Sequence, residues 1–355
     1  MSQDKPVTAL VVDDSALMRQ MIGAALESQG IRVLGSAADP YEAREKIKAL
    51  DPDVVTLDVE MPRMDGLSFL EKIMSLRPTP VVMVSTLTGE GTSATIRALE
   101  IGAVDCIAKP MARDAAEFAA FAAELADKVR AAAGTRVRPG RLPPPGPKCA
   151  PVPKAAPSAP RRAWKRPLVA IGASTGGVER IREILLALPP DSPPVAIVQH
   201  IGPGYVKSFA DRLNKLSALE VVVAEEGMPL LPGRAVIAPG DRHLRLARGG
   251  SGLVCRLADE PPVSGHKPSV DVLFQSAATV AGAKAVGVIL SGMGRDGAQG
   301  LADMRAAGAH TIGECEASCV VYGMPRAAML AGAVVAELDL SRIAGAILAA
   351  AADGP

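Results

Sequence analysis

The chain has 355 residues, enough at about 150 per domain for two or three domains that each bury a core. Hydrophobic residues make up 48%, charged residues 22%, and Lys+Arg 39 nearly balances Asp+Glu 38, which excludes collagen-like, coiled-coil and wholly disordered classes. A net charge of +1 with 3% aromatic residues lacks the basic excess and stacking platforms of a nucleic-acid binder, so no nucleic-acid partner is expected. Five scattered cysteines, at 106, 149, 255, 315 and 319, contain no CxxC pair and suggest neither a disulfide framework nor a zinc site. With no basic-then-apolar leader and no apolar run of about 18 residues, a soluble, cytoplasmic protein is expected.

From the N-terminus, the apolar runs VTALVVDD, PDVVTLDVEMP, TPVVMVST and AVDCIAKP alternate with helical stretches such as SALMRQMIGAALESQG and YEAREKIKAL. Continuous rather than alternating apolar runs mean strands buried on both faces, hence a parallel α/β sheet with helices on each side. Chemistry in such sheets gathers at the carboxyl ends of the strands, here Asp13 and Asp14, Asp58, Ser85 and Lys109. Three carboxylates meeting in one pocket call for a hard divalent cation, and Lys109 and Ser85 suit a phosphoryl group carried by one of them. A local alternative for the first group is that Asp13, Asp14 and Ser15 cap the helix opening at Ala16.

VVDDS, TLDVEMPRMDG, MVST and IAKP resemble the receiver domain of bacterial response regulators over residues 7 to about 125. The resemblance implies a flavodoxin-like fold with Asp58 as phospho-acceptor. It further implies Asp13, Asp14 and Asp58 around Mg²⁺, Ser85 and Lys109 as the phosphoryl switch pair, and a histidine kinase as phosphodonor. Cys106 stands where that family usually has an aromatic residue.

Between Gly134 and Pro167 the sequence holds ten of the thirty prolines, nine Lys or Arg and no acidic residue. Fixed φ angles, missing donors and like charges make this an extended tether. Removing its nine positive charges from +1 leaves about −8 for the flanking domains. The expected organisation is a first domain over 1–130, a linker over 131–166 and a second domain over 167–355.

In the second domain PLVAIGAS, PVAIVQH, AVGVILSG and AHTIGE repeat the pattern of apolar run, Gly-rich turn and helix. Ser174 sits in Gly172-Ala-Ser-Thr-Gly-Gly177, a tight strand-to-helix turn of the kind that exposes a nucleophile, with the Thr175 N–H as one oxyanion donor. The same glycines would also suit a phosphate cradle or a plain close turn. Of the four histidines only His200 ends an apolar strand; His243 and His266 read as lying in polar turns and His310 as preceding its strand. Asp296, just past AVGVILSG, is the carboxylate expected to orient the base; Asp271 competes, although PSVDVLF reads as Ser269 capping a helix with Asp271 in its first turn. Gly292-x-Gly294-x-x-Gly297 with Glu314 imitates a dinucleotide fingerprint. Cys315 and Cys319 read as packing, Tyr322 and Arg326 as candidates for a substrate groove, and Gly323-Met324-Pro325 as a turn.

IGASTGG, VQH, LPGRAVIAPGDRHL, PSVDVLF, GVILSGMGRDG and EASCVVYGMPR resemble the catalytic domain of the chemotaxis protein-glutamate methylesterases, whose domain order this chain shares. The resemblance implies Ser174 as nucleophile, His200 as general base, Asp296 as its orienter, and N–H groups near Thr175 and Met293 around the oxyanion, without a cofactor. It also implies the activities: hydrolysis of glutamyl methyl esters on chemoreceptors, releasing methanol, and deamidation of receptor glutamines. The expected fold class is therefore α/β, two doubly wound parallel-sheet domains, a flavodoxin-like receiver followed by a serine hydrolase.

Overall fold

In the computed structural model the chain divides into two compact units, residues 1–146 and 147–355. The structure describes residues 6–61, 64–110, 114–135, 164–250 and 252–353. The tether expected over 131–166 lies outside these except at its ends, as does Cys149.

The first unit alternates strand and helix throughout: β1 (Thr8–Val12), α1 (Ala16–Ser28), β2 (Arg32–Ala37), α2 (Pro40–Leu50), β3 (Val54–Asp58), α3 (Gly66–Leu76), β4 (Val81–Ser85), α4 (Gly89–Ile101), β5 (Asp105–Ala108) and α5 (Ala115–Ala133). The strands form one parallel sheet in the order β2-β1-β3-β4-β5. β1, β3 and β4 are buried at every residue, as their unbroken apolar runs require. β2 reads RVLGSA, carries no such run and forms an edge, which is why pattern alone passes it over. Short polar side chains start the helices. Asp39 accepts the N–H groups of Tyr41 and Glu42, Asp65 that of Ser68 and Asp114 that of Glu117, each cap contributing about 1 kcal/mol.

The second unit runs β6 (Val169–Ala173), α6 (Gly177–Ala187), β7 (Val195–Gln199), α7 (Pro203–Leu216), β8 (Glu220–Val223), β9 (Arg234–Ile237), β10 (His243–Gly249), β11 (Gly252–Ala258), α8 (Val270–Ala281), β12 (Val286–Ile289), α9 (Ala298–Ala306), β13 (His310–Glu314), α10 (Met324–Leu330), β14 (Ala336–Leu338) and α11 (Leu340–Asp353). Seven of its strands form a parallel sheet, β14-β13-β12-β6-β7-β9-β8. Phe274 and Leu273 of α8 pack with Leu301 and Met304 of α9 in its core; each large apolar side chain so buried contributes roughly 1.5–3 kcal/mol.

Several expectations need correction. β10 and β11 form an antiparallel hairpin outside the main sheet, where an all-parallel unit was expected. His243 opens β10 and is fully buried, not in a polar turn, and His310 begins β13 instead of preceding it. Gly323-Met324-Pro325 is no isolated turn, since α10 starts at Met324 with proline in its first turn, where a missing N–H costs nothing. Among the described residues no helix is long and apolar enough to cross a membrane.

Both sheets have a point where the chain reverses its direction of growth. In the first it lies between β1 and β3, and in the second between β6 and β12. Open α/β sheets bind ligands in the crevice at the carboxyl ends of such strands.

Candidate active site

At the first crevice, Asp13 follows β1 and Asp58 ends β3, with both carboxylates buried. Lys109, directly after β5, places its Nζ 2.7 Å from Asp58 Oδ2 and 2.8 Å from Asp13 Oδ2, and its backbone N–H donates to the Ser85 carbonyl at 2.8 Å. Ser85, the last residue of β4, is fully buried, and its hydroxyl donates to the Thr86 carbonyl at 3.2 Å. Asp14 is exposed, but its carboxylate shares with Asp13 and Asp58 a cluster whose candidate ligand atoms lie within 4.8 Å of one another. The helix-cap reading is also met in part. Ser15 accepts the Met18 N–H at 3.4 Å, while Asp13 accepts that of Ser15 at 2.9 Å.

One lysine does not balance these charges. Burial pushes Asp58 up to about 6, aided by the Asp13 charge and resisted by Lys109 and the Glu60 N–H. An anion so poorly compensated suits a hard divalent cation, which takes carboxylates together with water and phosphate oxygens. Cys106 in β5 is a buried thiol, pushed up to about 12 by burial, and supplies no aromatic face.

At the second crevice Ser174 follows β6. Its N–H donates to the Ser291 carbonyl, just past β12, at 3.0 Å, and its carbonyl accepts the Gly177 N–H at 2.7 Å and the Gln199 side-chain amide at 2.8 Å. The turn depends on glycine at two points. Gly176 has φ +77°, and a Cβ at Gly292 would lie 2.8 Å from the Cβ of Ser174. Thr175 is buried beside Ser174, and its carbonyl accepts the Ser291 hydroxyl at 2.8 Å. Met293 lies on the loop after β12, 36% exposed.

His200 follows β7, and its backbone N–H donates to the Ala173 carbonyl at 3.0 Å, which sets it beside the strand that ends in Ser174. Its Nε2 is 2.9 Å from Asp296 Oδ2. Asp296 is 1% exposed and also accepts the Ser269 hydroxyl at 2.7 Å, the Val270 N–H at 2.7 Å and the Asp271 N–H at 3.0 Å. Burial alone would raise it. The His200 contact and the donors at the positive end of α8 outweigh burial and hold its carboxyl below the usual range.

The rival carboxylate does other work. Asp271 accepts the Gly300 N–H at 2.7 Å and the Ser264 hydroxyl at 2.8 Å, and burial raises it. Ser269 stands at the N-cap of α8, but its hydroxyl serves Asp296 and makes no capping bond, contrary to expectation. The dinucleotide pattern also fails on geometry. Asp296 is committed to four donors, while Glu314 is fully buried, accepts the Ser291 N–H at 2.8 Å and lies 3.6 Å from Arg180. Neither acid is open to a ribose.

The Tyr322 hydroxyl donates to Glu337, and Arg326 is exposed. Cys319 is half-buried, its thiol held up by burial, and its Sγ–H points to the Glu314 carbonyl at 3.8 Å. One contact of the site was missed: His266, read only as a residue of a polar turn, lies face to face with His200, ring centroids 3.9 Å apart. The contact joins positions 66 apart in sequence, and no motif spacing announces it.

A carboxylate cluster on one doubly wound sheet and a serine, a histidine and an aspartate at the switch point of another define the class: a response regulator with a serine-hydrolase output unit. Comparison with known proteins makes the assignment specific. Residues 9–119 match the family model for the response regulator receiver domain, and residues 169–347 that for the CheB methylesterase. The protein-glutamate methylesterase/protein-glutamine glutaminase 3 of Burkholderia lata is 52% identical over 98% of this chain and 97% of its own. The Salmonella typhimurium protein-glutamate methylesterase/protein-glutamine glutaminase is 51% identical over 97% and 96%. Among solved structures, the Thermotoga maritima CheB methylesterase catalytic domain is similar with a TM-score of 0.50 at 36% identity, covering 51% of this chain and 97% of that one. The chain belongs to the protein-glutamate methylesterase/protein-glutamine glutaminase family.

Proposed function

We propose that the second unit hydrolyses glutamyl methyl esters on chemoreceptors and deamidates specific receptor glutamines, serving chemotaxis adaptation under control of the receiver. The hydroxyl of Ser174 attacks the ester carbonyl while His200 takes its proton. The tetrahedral oxyanion that forms is met by the N–H groups of Thr175 and Met293. His200 returns the proton to the departing methoxide, methanol leaves, and water activated by the same imidazole releases the carboxylate. With a glutamine the leaving group is ammonia. Asp296 orients His200 and stabilises its imidazolium without taking the proton. The observation that carries this reading is the 2.9 Å contact between His200 Nε2 and a buried Asp296 at the strand ends flanking Ser174.

In the receiver, Asp58 accepts a phosphoryl group from a histidine kinase of chemotaxis type. Asp13, Asp14 and Asp58 are the residues that would hold Mg²⁺, which when bound offsets the charge of the incoming phosphate. Lys109 then pairs with the phosphoryl oxygens and Ser85 hydrogen-bonds one of them. These partners set the place of work as the cytoplasm, near the membrane only through the receptors. The domain limits proposed are 1–130 for the receiver, whose last helix runs on to Ala133, 131–166 for the linker and 167–355 for the esterase.

The test is methanol release from a methylated chemoreceptor fragment, with wild type and Ser174→Ala each measured with and without a small-molecule phosphodonor and Mg²⁺. Release that rises with phosphodonor and disappears in the alanine variant supports both halves of the proposal. Release unaffected by Ser174→Ala refutes the nucleophile, and release indifferent to phosphodonor refutes the control.

A further inference from the structure

The loop between β11 and α8 lays a second imidazole on the first. His266 and His200 have ring centroids 3.9 Å apart and planes 4° from parallel. His266 closes a tight turn in which Ser264 and Gly265 both have positive φ, 53° and 82°, and Val263 and His266 exchange both backbone hydrogen bonds at 3.0 Å. A non-glycine residue in that region is uncommon and persists where its surroundings fix it.

The turn is fixed from several sides. The Ser264 hydroxyl donates to Asp271, which also accepts the Gly300 N–H of α9. The Ser264 carbonyl lies 3.0 Å from His266 Nδ1 and so accepts its N–H, leaving the lone pair of the neutral ring on Nε2. Behind the turn, buried His243 accepts the Ser269 N–H at Nδ1 and therefore donates from Nε2 to the Pro261 carbonyl, both at 3.1 Å. That one side chain ties together the two ends of the segment that carries His266.

His200, His266 and Asp296 also lie close enough to share a metal ion. The stacking speaks for a different use. Lone pairs lie in the ring plane, so two parallel rings aim theirs in parallel planes and not at a common point between them. Asp296 has meanwhile spent its oxygens on four donors.

We infer that His266 is a positioning residue for His200, a flat partner that fixes the plane of the general base and stabilises the imidazolium formed when Ser174 gives up its proton. The inference rests on the Ser174, His200 and Asp296 roles proposed above. The hydrogen bond at Nε2 fixes one atom of the His200 ring, and a face stacked on it fixes the plane. A neutral aromatic face also attracts a cation developing beside it. The charged groups around the stack are Asp296 beyond His200, Asp271 through Ser264, and Lys267, which is paired with Asp259 at 2.7 Å. His243 is the remaining imidazole, with both nitrogens engaged.

The experiment measures kcat and KM for methanol release by the full chain between about pH 5 and 9, the range in which imidazoles titrate. Wild type is compared with His266→Phe, His266→Ala and Ser174→Ala, with thermal midpoints recorded for each. Loss of the stacked ring is expected to lower kcat about tenfold while KM stays within about twofold, the pattern of a misplaced catalytic group. His266→Phe keeps the flat face and should recover most of kcat. The inference falls if His266→Ala matches wild type in kcat, or if it raises KM with kcat intact, which would mark a substrate contact. It also falls if the folded phenylalanine variant is as slow as the alanine one. Should Ser174→Ala retain activity, the underlying site assignment fails instead, whatever the His266 variants do.

Discussion

Asp58 and Asp296 are each 1% exposed, and each follows or ends a strand at the switch point of a doubly wound sheet. Their surroundings are opposite. Asp58 has Lys109 and one long bond from the Glu60 N–H at 3.3 Å, with a second carboxylate beside it, and is pushed up to about 6. Asp296 has a histidine, a hydroxyl and two helix N–H groups, and is held below the ordinary carboxylate range in spite of burial. The contrast separates two uses of a buried acid. One is left short of donors and so is ready for a cation and a phosphoryl group; the other is saturated and stays a fixed anion.

The largest effect should come from Asp296→Asn. An amide cannot offer two acceptor oxygens to four donors, so kcat should fall by about 10⁴ through loss of the imidazole's tautomer and orientation. The unit should also lose about 2–4 kcal/mol, because helix N–H groups are left unmatched. Steady-state kinetics and denaturant midpoints read the two separately; a variant with normal stability would break the account of Asp296 as saturated.

Asp58→Asn should act with the opposite sign on stability. It abolishes stimulation by phosphodonor, yet removing a poorly compensated buried anion stabilises the receiver by on the order of 1 kcal/mol near neutral pH. A loss of stability in that variant would mean that Lys109 compensates Asp58 fully. Asp271→Asn, which leaves the His200 contact intact, should cost about 1–2 kcal/mol and only a few-fold in kcat.

The pH dependence follows the same division. Asp296 is lower in the folded state than its unfolded value near ~3.9, so its contribution is present above about pH 4 and is lost as pH falls through the folded value. Asp58 is raised to about 6, so its contribution is present below about pH 4 and is lost as pH rises through 6. Calorimetry of the full chain should therefore show the receiver transition weakening between about pH 4 and 7 while the esterase transition holds. The smallest expected effect is that Mg²⁺ stabilises the receiver more at about pH 8 than at about pH 5, where protonation competes with the ion.

Much of this was legible in the sequence because buried parallel strands write themselves as apolar runs and place chemistry at their ends. Asp13, Asp58, Lys109, Ser174 and His200 stand where such runs stop, and Asp296 lies on the loop that follows β12. β2, β8 and β14 were passed over because edge strands are half exposed and carry little apolar signal. The β10–β11 hairpin was missed beside them, its alternating residues lying off the main sheet. The stacking of His266, the exchange of partners between Ser269 and Asp296, and the pinning of His243 were not legible. Each depends on where one loop folds in space, and no local preference fixes that.

The carboxylate of Asp296 does for α8 what a cap residue of its own would do, from 25 and 26 residues beyond the N–H groups it accepts. The acid proposed to orient the base is thereby part of the scaffold, whereas Ser174 contributes hydrogen bonds to the scaffold through its backbone. Anyone seeking an inert decoy that still captures receptors should therefore disarm the serine and leave the aspartate alone, because only the first change empties the chemistry without loosening the frame around it.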